Sequence, residues 1–459
     1  MKKAYLGLAL VMMIVSLAAG AGVQQMLKST AQRASGAFCL VECSVDMNGQ
    51  TSPHKGIGIC IDTSGLLLTM AIPAQAKAES ISNIRLTLPG VKAKQMSAEL
   101  LGMDSLTGIA FLRAKEEHNW SVVAFQKNAN VSLGDMVVSA GLNIRAAGAP
   151  LVLGLAYVSS EQRIPQRIFC VTGGALSMVG SVVFNAEGRA IGLVTSQPFL
   201  PYQVYSRGGS YRPSMLRNLE QAVCFTPVDE FVRVLTNIPQ GGVVRRPSWV
   251  GGFLVAVPEG LRQAKGLAGP AVMIDQILPN GPATKAGLKD RDIVIGINGV
   301  PLESLGSDEL TAHAVRQKIG RMSPGTEITL TVGQQGRQRD VTLKLEPMPV
   351  MPSEAPKLLN TTLGLAMREK VPLDQTNSDP SAKRPGLLVI AVGAKSPADW
   401  AGLHNGDLVI AIDDKSVSTV SLAEELFKAR LEKKPPENIK VTVARGKETK
   451  TLTIRAPGN

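Results

Sequence analysis

The residues in this sequence that could do chemistry are few, and their spacing decides little by itself. Of four histidines in 459 residues, two fall in the front half. His54 lies in a polar loop, and His118 follows the charged run Lys115-Glu116-Glu117. Both read as exposed surface histidines and not as a general base. Ser177 and Ser181 flank Val179, and the glycines Gly173 and Gly174 are too isolated to cradle a phosphate. No Cys-x-x-Cys or Cys/His spacing offers a metal site, so neither metal nor cofactor is expected. Cys39 and Cys43 stand four apart in a strand-like run, on one face but too distant to bond each other. Cys60, Cys170 and Cys224 also sit in apolar surroundings. Buried, inert thiols are the default reading; a disulfide between distant strands stays open in an oxidising compartment.

Composition bounds the function classes. The apolar fraction of 44% is that of a globular protein, and the length suits about three domains. The net charge of +12 is spread along the chain, and only 4% of residues are aromatic. A nucleic-acid groove needs basic runs with interleaved aromatics, so nucleic-acid binding is not expected. Lys2 and Lys3 precede an apolar stretch from Ala4 to Val23, so residues 1–23 read as an export signal. The small residues Ala18, Ala19, Gly20 and Ala21 offer a cleavage site after Ala21, while residues 4–23 are also long enough to anchor the chain in a membrane uncleaved. Either way the expected location is the periplasm or cell envelope.

These residues are positioned by three kinds of segment. Residues 24–36 read as a polar connector. Residues 37–240 read as many short strands rich in Val, Ile and Leu, among them Phe38 to Val45, Gly56 to Asp62, Leu66 to Met70, Ile109 to Arg113, Met136 to Ala140 and Ala190 to Thr195. Strands at that spacing, with one late helical stretch from Val228 to Leu235, argue an all-β barrel or sandwich. Residues 241–249 read as a linker. Beyond it Pro282-Ala283-Thr284-Lys285-Ala286-Gly287-Leu288 recurs as Pro397-Ala398-Asp399-Trp400-Ala401-Gly402-Leu403, a constant offset of 115 (397 − 282). The repeat marks a duplicated α+β module, at 250–346 and 357–456. Prolines at 347, 349, 352 and 356 make residues 347–356 a stiff connector between the copies.

The repeated Pro-Ala-x-x-Ala-Gly-Leu element, followed by Asp292 or Asp407 and an apolar strand, resembles the PDZ domains of bacterial proteases. That resemblance implies that a peptide adds as a strand to a sheet edge while loop amides hold its C-terminal carboxylate. In the second module it places this loop at Thr362, Leu363, Gly364 and Leu365, with Leu422 and Leu426 lining the side-chain pocket. In the first it places the loop at Gly252, Phe253, Leu254 and Val255, with Leu310 opposite. Val255 then stands where the second copy has Gly364, which favours the second module as the working groove.

The front domain resembles the HtrA (Deg) family of trypsin-like serine proteases. The stretches that carry the likeness are Gly56-Ile57-Gly58-Ile59 with Gly65-Leu66-Leu67-Leu68-Thr69, Gly102-Met103-Asp104-Ser105-Leu106-Thr107, Ser132-Leu133-Gly134-Asp135, and Asn185-Ala186-Glu187-Gly188-Arg189-Ala190-Ile191-Gly192. The resemblance implies a trypsin-like double β-barrel followed by two α+β PDZ-like domains, and a homo-oligomer, a trimer by likeness. Serine-protease chemistry needs a hydroxyl, a histidine and an orienting carboxylate. The family's three positions fall on Ile72, Gly108 and Val179, none of which can transfer a proton. The expectation is a non-catalytic pseudoprotease, an envelope scaffold or adaptor that binds protein C-termini or extended peptides. Two alternatives stay open: an active endopeptidase with a displaced triad using Ser177 or Ser181, and a holdase-like chaperone. Residues 199–219 hold Tyr202, Tyr205, Tyr211, Arg207, Arg212 and Arg217, side chains that interfaces favour.

Overall fold

The structure, a computed structural model, describes residues 22–47, 50–90, 94–163, 166–196, 201–205, 211–215, 223–267, 269–334, 337–376 and 384–456. The signal stretch at residues 1–21 lies outside them, and so do the side chains of the Tyr/Arg-rich segment. No helix among the described residues is long and apolar enough to cross a membrane. The chain divides into two compact units, the first running to Arg245 and the second from Arg246 onward, apart from the short segment Met47–Gln50.

The first unit is two closed six-stranded antiparallel barrels. Strands β1 (Phe38–Met47), β2 (Gln50–Asp62), β3 (Leu66–Thr69), β4 (Ile81–Thr87), β5 (Gln95–Asp104) and β6 (Ile109–Ala114) pair in the order β1-β2-β3-β6-β5-β4, and β4 returns to β1. Alternation drives this closure: Cys39, Val41, Cys43 and Val45 of β1 point inward onto Leu67, Leu86 and Met96. The second barrel uses β7 (Met136–Leu142), β8 (Leu151–Gln162), β9 (Ile168–Thr172), β10 (Val182–Phe184) and β11 (Ala190–Thr195). A two-stranded ribbon, β12 (Pro201–Tyr205) and β13 (Tyr211–Met215), precedes β14 (Cys224–Pro227), which closes that barrel. Phe38, Ile57 and Phe111 share one buried cluster with Leu142, Val182 and Phe184, so the barrels pack on each other. Each such side chain contributes about 1.5–3 kcal/mol by leaving water.

Residues 24–36 differ from the expected connector. Residues 22–34 form a helix, α1, because Met26, Thr30 and Ala34 recur every fourth residue and bury one face. The helix α2 (Val232–Thr236) follows β14, and β15 (Val243–Arg245) then pairs parallel to β5, so part of the segment read as a linker is strand.

The second unit carries two similar modules. The first runs through β16 (Ser248–Trp249), β17 (Phe253–Ala256), α3 (Glu259–Ala264), β18 (Val272–Asp275), α4 (Pro282–Lys285), β19 (Ile293–Ile297), β20 (Val300–Pro301), α5 (Asp308–Gly320), β21 (Glu327–Gln334), β22 (Arg337–Lys344) and β23 (Glu346–Pro347). Its sheet order is β17-β18-β19-β21-β22, while β16 pairs with β23. The second module has β24 (Lys357–Asn360), β25 (Leu365–Glu369), β26 (Leu387–Val392), α6 (Pro397–Trp400), β27 (Leu408–Ile412), β28 (Lys415–Ser416), α7 (Val420–Leu431), β29 (Ile439–Arg445) and β30 (Glu448–Ile454), in the order β24-β25-β26-β27-β29-β30.

The proline-rich segment between the modules is not a free spacer. Met348, Val350, Met351 and Ala355 pack on Trp249 and Phe253 of the first module and on Val371 and Leu373 of the second. Arg246 fixes the turn by donating to the carbonyls of Met348 (2.6 Å) and Pro349 (2.9 Å).

Candidate functional site

The loop that should hold a carboxylate is set by its contacts with the helix of the repeated motif. In the first module the amide of Ala283 donates to Val250 O (2.8 Å), and that of Leu278 to Gly251 O (2.8 Å). In the second, Ala398 donates to Leu363 O (3.0 Å) and Gly393 to Gly364 O (2.8 Å). Ala283 and Ala398 are partners in the 115-residue repeat, as are Leu278 and Gly393. Gly251 is therefore the counterpart of Gly364. The assignment of that place to Val255 is corrected: Val255 lies further along, inside β17, opposite Met273. The misplacement has a simple cause, since Gly251 precedes Ala283 by 32 residues (283 − 251) and Gly364 precedes Ala398 by 34 (398 − 364). Both glycines have positive φ, +93° and +66°. A Cβ at Gly251 would come within 2.9 Å of the Pro282 backbone nitrogen, so the site requires glycine.

The two modules differ in what this loop and its strand leave free. In the second module β25 is paired on both sides. Beyond β26, β24 runs antiparallel to it, with Lys357, Leu358, Leu359 and Asn360 opposite Arg368, Met367, Ala366 and Leu365. Its loop amides are also used: Leu363 donates to the Asn360 side chain (3.0 Å) and Gly364 to Thr361 O (3.3 Å). Leu422 and Leu426 of α7 belong to the module's own core. The residues Thr362 to Leu365 thus border no open edge, because the segment just before them folds back as a hairpin.

In the first module β17 pairs only with β18 among the described residues. Ile274 of β18 turns its amide and carbonyl toward Asp292 and Arg291. Leu254, opposite Ile274, therefore turns its own N–H and C=O outward. Gly251 and Gly252 are buried, and among the described residues their amides donate to no acceptor. Buried amides without acceptors are rare, and a carboxylate oxygen is what they would take. Phe253 stacks edge-on against Trp249 (6.0 Å), which braces the loop. Leu310 lies in the first turn of α5, its amide capped by the Ser307 hydroxyl (3.2 Å).

The three triad positions come from neighbouring loops of the barrels. Ile72 is buried in the first barrel's core. Gly108 closes a turn onto Asp104 O (2.9 Å), and a Cβ there would lie 4.0 Å from Ala74. Gly180, next to the exposed Val179, lies beside Met70. Of the two flanking serines, Ser181 is fully buried, and among the described residues its hydroxyl has no partner. Ser177 lines an open cavity of about 480 Å³ with Leu142, Asn143, Arg145, Val152, Leu176 and Met178. Its hydroxyl lies 3.0 Å from the Ser139 hydroxyl. His54 bonds the Ser52 hydroxyl (3.1 Å), and His118 stacks edge-on against Trp120 (4.9 Å). All five cysteines are buried and unbridged. Burial pushes Cys60 and Cys224 up to about 11 and Cys39 further still.

Family models match in the expected order: a trypsin-like peptidase domain at residues 56–193 and PDZ domains at 273–332 and 362–455. A probable periplasmic serine endoprotease, DegP-like, from Halomonas elongata is 26% identical over 387 residues, covering 81% of this chain and 73% of the relative. A like-named protein of Hahella chejuensis is 25% identical over 394 residues, covering 82% and 76%. Among solved structures, the HtrA-type protease AlgW with tripeptide superposes with a TM-score of 0.51 at 18% identity, covering 70% of this chain and 97% of that one. AlgW with decapeptide gives 0.50 at 19% identity, covering 70% and 98%. These structures share the fold.

The relatives correct one expectation. The residues at the triad positions pointed to a chain that is not an enzyme, yet the proteins it matches along most of its length are named serine endoproteases. The non-enzyme reading does not stand. With a trypsin-like double barrel, two PDZ domains and DegP-like relatives, the chain resembles the HtrA-like proteases in fold and domain order.

Proposed function

We propose that this chain serves in the periplasm as an HtrA-like member of the serine endoprotease family, and that its first PDZ module captures the free C-termini of envelope proteins. The observation that carries this reading is the pair of buried, acceptorless amides at Gly251 and Gly252 beside the open edge of β17. Together they offer a carboxylate cradle and a strand template, the two parts that tail recognition uses. The names of the relatives support the compartment, and the solved neighbours titled with a tripeptide and a decapeptide support a peptide as ligand class. By likeness to the family the barrels assemble as a homo-oligomer. The test is fluorescence polarisation of the full chain with a labelled decapeptide bearing a free or an amidated C-terminus. Tight binding of the free form and loss on amidation is expected; equal binding of both would overturn the reading.

A second reading has its own support. Peptidase chemistry would centre on Ser177, displaced two residues from Val179, because Ser177 is the flanking hydroxyl that opens onto the cavity while Ser181 is sealed inside. It predicts labelling by a serine-directed phosphonate that is abolished in Ser177→Ala and retained in Ser181→Ala. No labelling of the assembled protein would sink it.

A further inference from the structure

Arg316 stands on α5 beside the open edge of β17, and its guanidinium donates to Leu254 O. That carbonyl is the outward acceptor an added strand would use. Among the described residues Arg316 has no carboxylate partner. Its second contact is His313 Nδ1, 3.4 Å away. A guanidinium only donates, so His313 Nδ1 must accept and Nε2 carries the ring proton. His313 Nε2 is buried and, among the described residues, has no hydrogen-bond partner. Burial and the neighbouring Arg316 charge both hold the imidazole toward its neutral form, which keeps that tautomer. Arg316 thus stands at the groove edge with His313 beside it on α5, and among the described residues neither donor has an acid to receive it.

Strand addition fixes which ligand residue they meet. With the ligand carboxylate at the amides of Gly251 and Gly252, the ligand runs antiparallel to β17. The ligand residue opposite Leu254 then lies two positions before the one opposite Gly252, which is third from the C-terminus. Cross-strand partners share a face. Leu254 turns its side chain into the cluster formed with Ala312, Val315 and Ile319 of α5, so the third-from-last side chain also faces α5. The amide of that same ligand residue takes Leu254 O, which releases the guanidinium at the place where the side chain arrives.

Resting on the capture reading above, we infer that the first PDZ module selects C-terminal tails with Asp or Glu at the third position from the end. Arg316 is the specificity-determining residue, and His313 Nε2–H is a second donor to the same carboxylate. A carboxylate there accepts charge-assisted hydrogen bonds in the forked geometry that arginine offers.

The test uses the full chain and two labelled decapeptides with free C-termini, identical except for Glu or Gln third from the end. The Glu peptide is expected to bind about tenfold tighter, the scale of one charge-assisted contact. Arg316→Gln should make the two peptides bind alike. Arg316→Glu should transfer the preference to a third peptide with Lys at that position, a gain that a misfolded protein could not give. Equal binding of the Glu and Gln peptides by the unaltered chain overturns the inference while leaving capture intact. Failure of every free-carboxylate peptide to bind overturns capture and the inference with it.

Discussion

Leu359 of β24 lies directly opposite Ala366 of β25, and Ala391 of β26 lies opposite Ala366 on the other side. The strand that a peptide would extend in the second module is thus the middle of a three-stranded arrangement, while β17 of the first module remains a sheet edge. The two copies share a fold but do not offer the same surface.

Peptide affinity should therefore respond to the first loop and not to the second pocket. Gly251→Asp places a side chain at φ +93° against Pro282 and should weaken binding of a free-carboxylate tail by at least about tenfold, or about 1.4 kcal/mol. Leu422→Lys, at a partly buried position of α7 whose long stem can reach solvent, should change it by less than about twofold. Titration by fluorescence polarisation, with circular dichroism to confirm folding, checks both.

The second module should be acid-sensitive through one ion pair. Arg368, only 6% exposed, holds Asp374 through two bonds of 2.6 and 2.7 Å, and the Val371 amide adds a third of 2.7 Å. Burial alone would raise the Asp374 pKa, but the Arg368 hydrogen bonds and the Val371 amide hold it below the ordinary carboxylate value. A carboxyl group depressed in the folded state stabilises above its unfolded pKa, about 4, and loses that contribution as pH falls through the folded value. Asp374→Ala should cost about 3 kcal/mol at neutral pH, because it strands the buried guanidinium. The cost should shrink below about pH 4, where the unaltered module loses the same interaction. Denaturant melts of the full chain at several pH values measure this.

The thiols should be silent in the native protein. With Cys60 and Cys224 raised to about 11 by burial and all five cysteines buried, a thiol reagent at pH 8 should label none within minutes. In denaturant it should label all five. Rapid native labelling of Cys170 or Cys224, which face each other across β9 and β14, would show that this part of the second barrel opens readily.

The segment between the modules should behave as core. Trp249 is 6% exposed and packs on Ala355, Val371 and Leu373. Trp249→Ala should destabilise the second unit by about 3–5 kcal/mol and loosen the Phe253 side of the capture loop. Calorimetry of the full chain would register it as a lowered transition of that unit alone.

Much of this architecture was legible in the sequence because it is written in local patterns. The alternation of Cys39, Val41, Cys43 and Val45, and the repeated Pro-Ala-x-x-Ala-Gly-Leu element, are short-range signals that burial and helix termination enforce. What escaped depends on pairing at a distance. Nothing in Lys357 to Asn360 announces that these residues fold back along β25, since a hairpin with a four-residue loop has no fixed signature here. The constant offset does not locate the carboxylate loop, because the two copies differ by two residues between loop and helix. The helical face of Met26, Thr30 and Ala34 was hidden by the polar residues around it. Arg316 and His313 carry a signal only once α5 is laid beside β17.

The central claim is that tails add to β17 and not to β25. Hydrogen exchange of the full chain with and without a saturating free-carboxylate decapeptide tests it most directly. Slowed exchange is expected across residues 251–256 and in α5, with residues 365–369 unchanged because β24 already protects them. Protection gained at 365–369 with none at 251–256 would contradict the account.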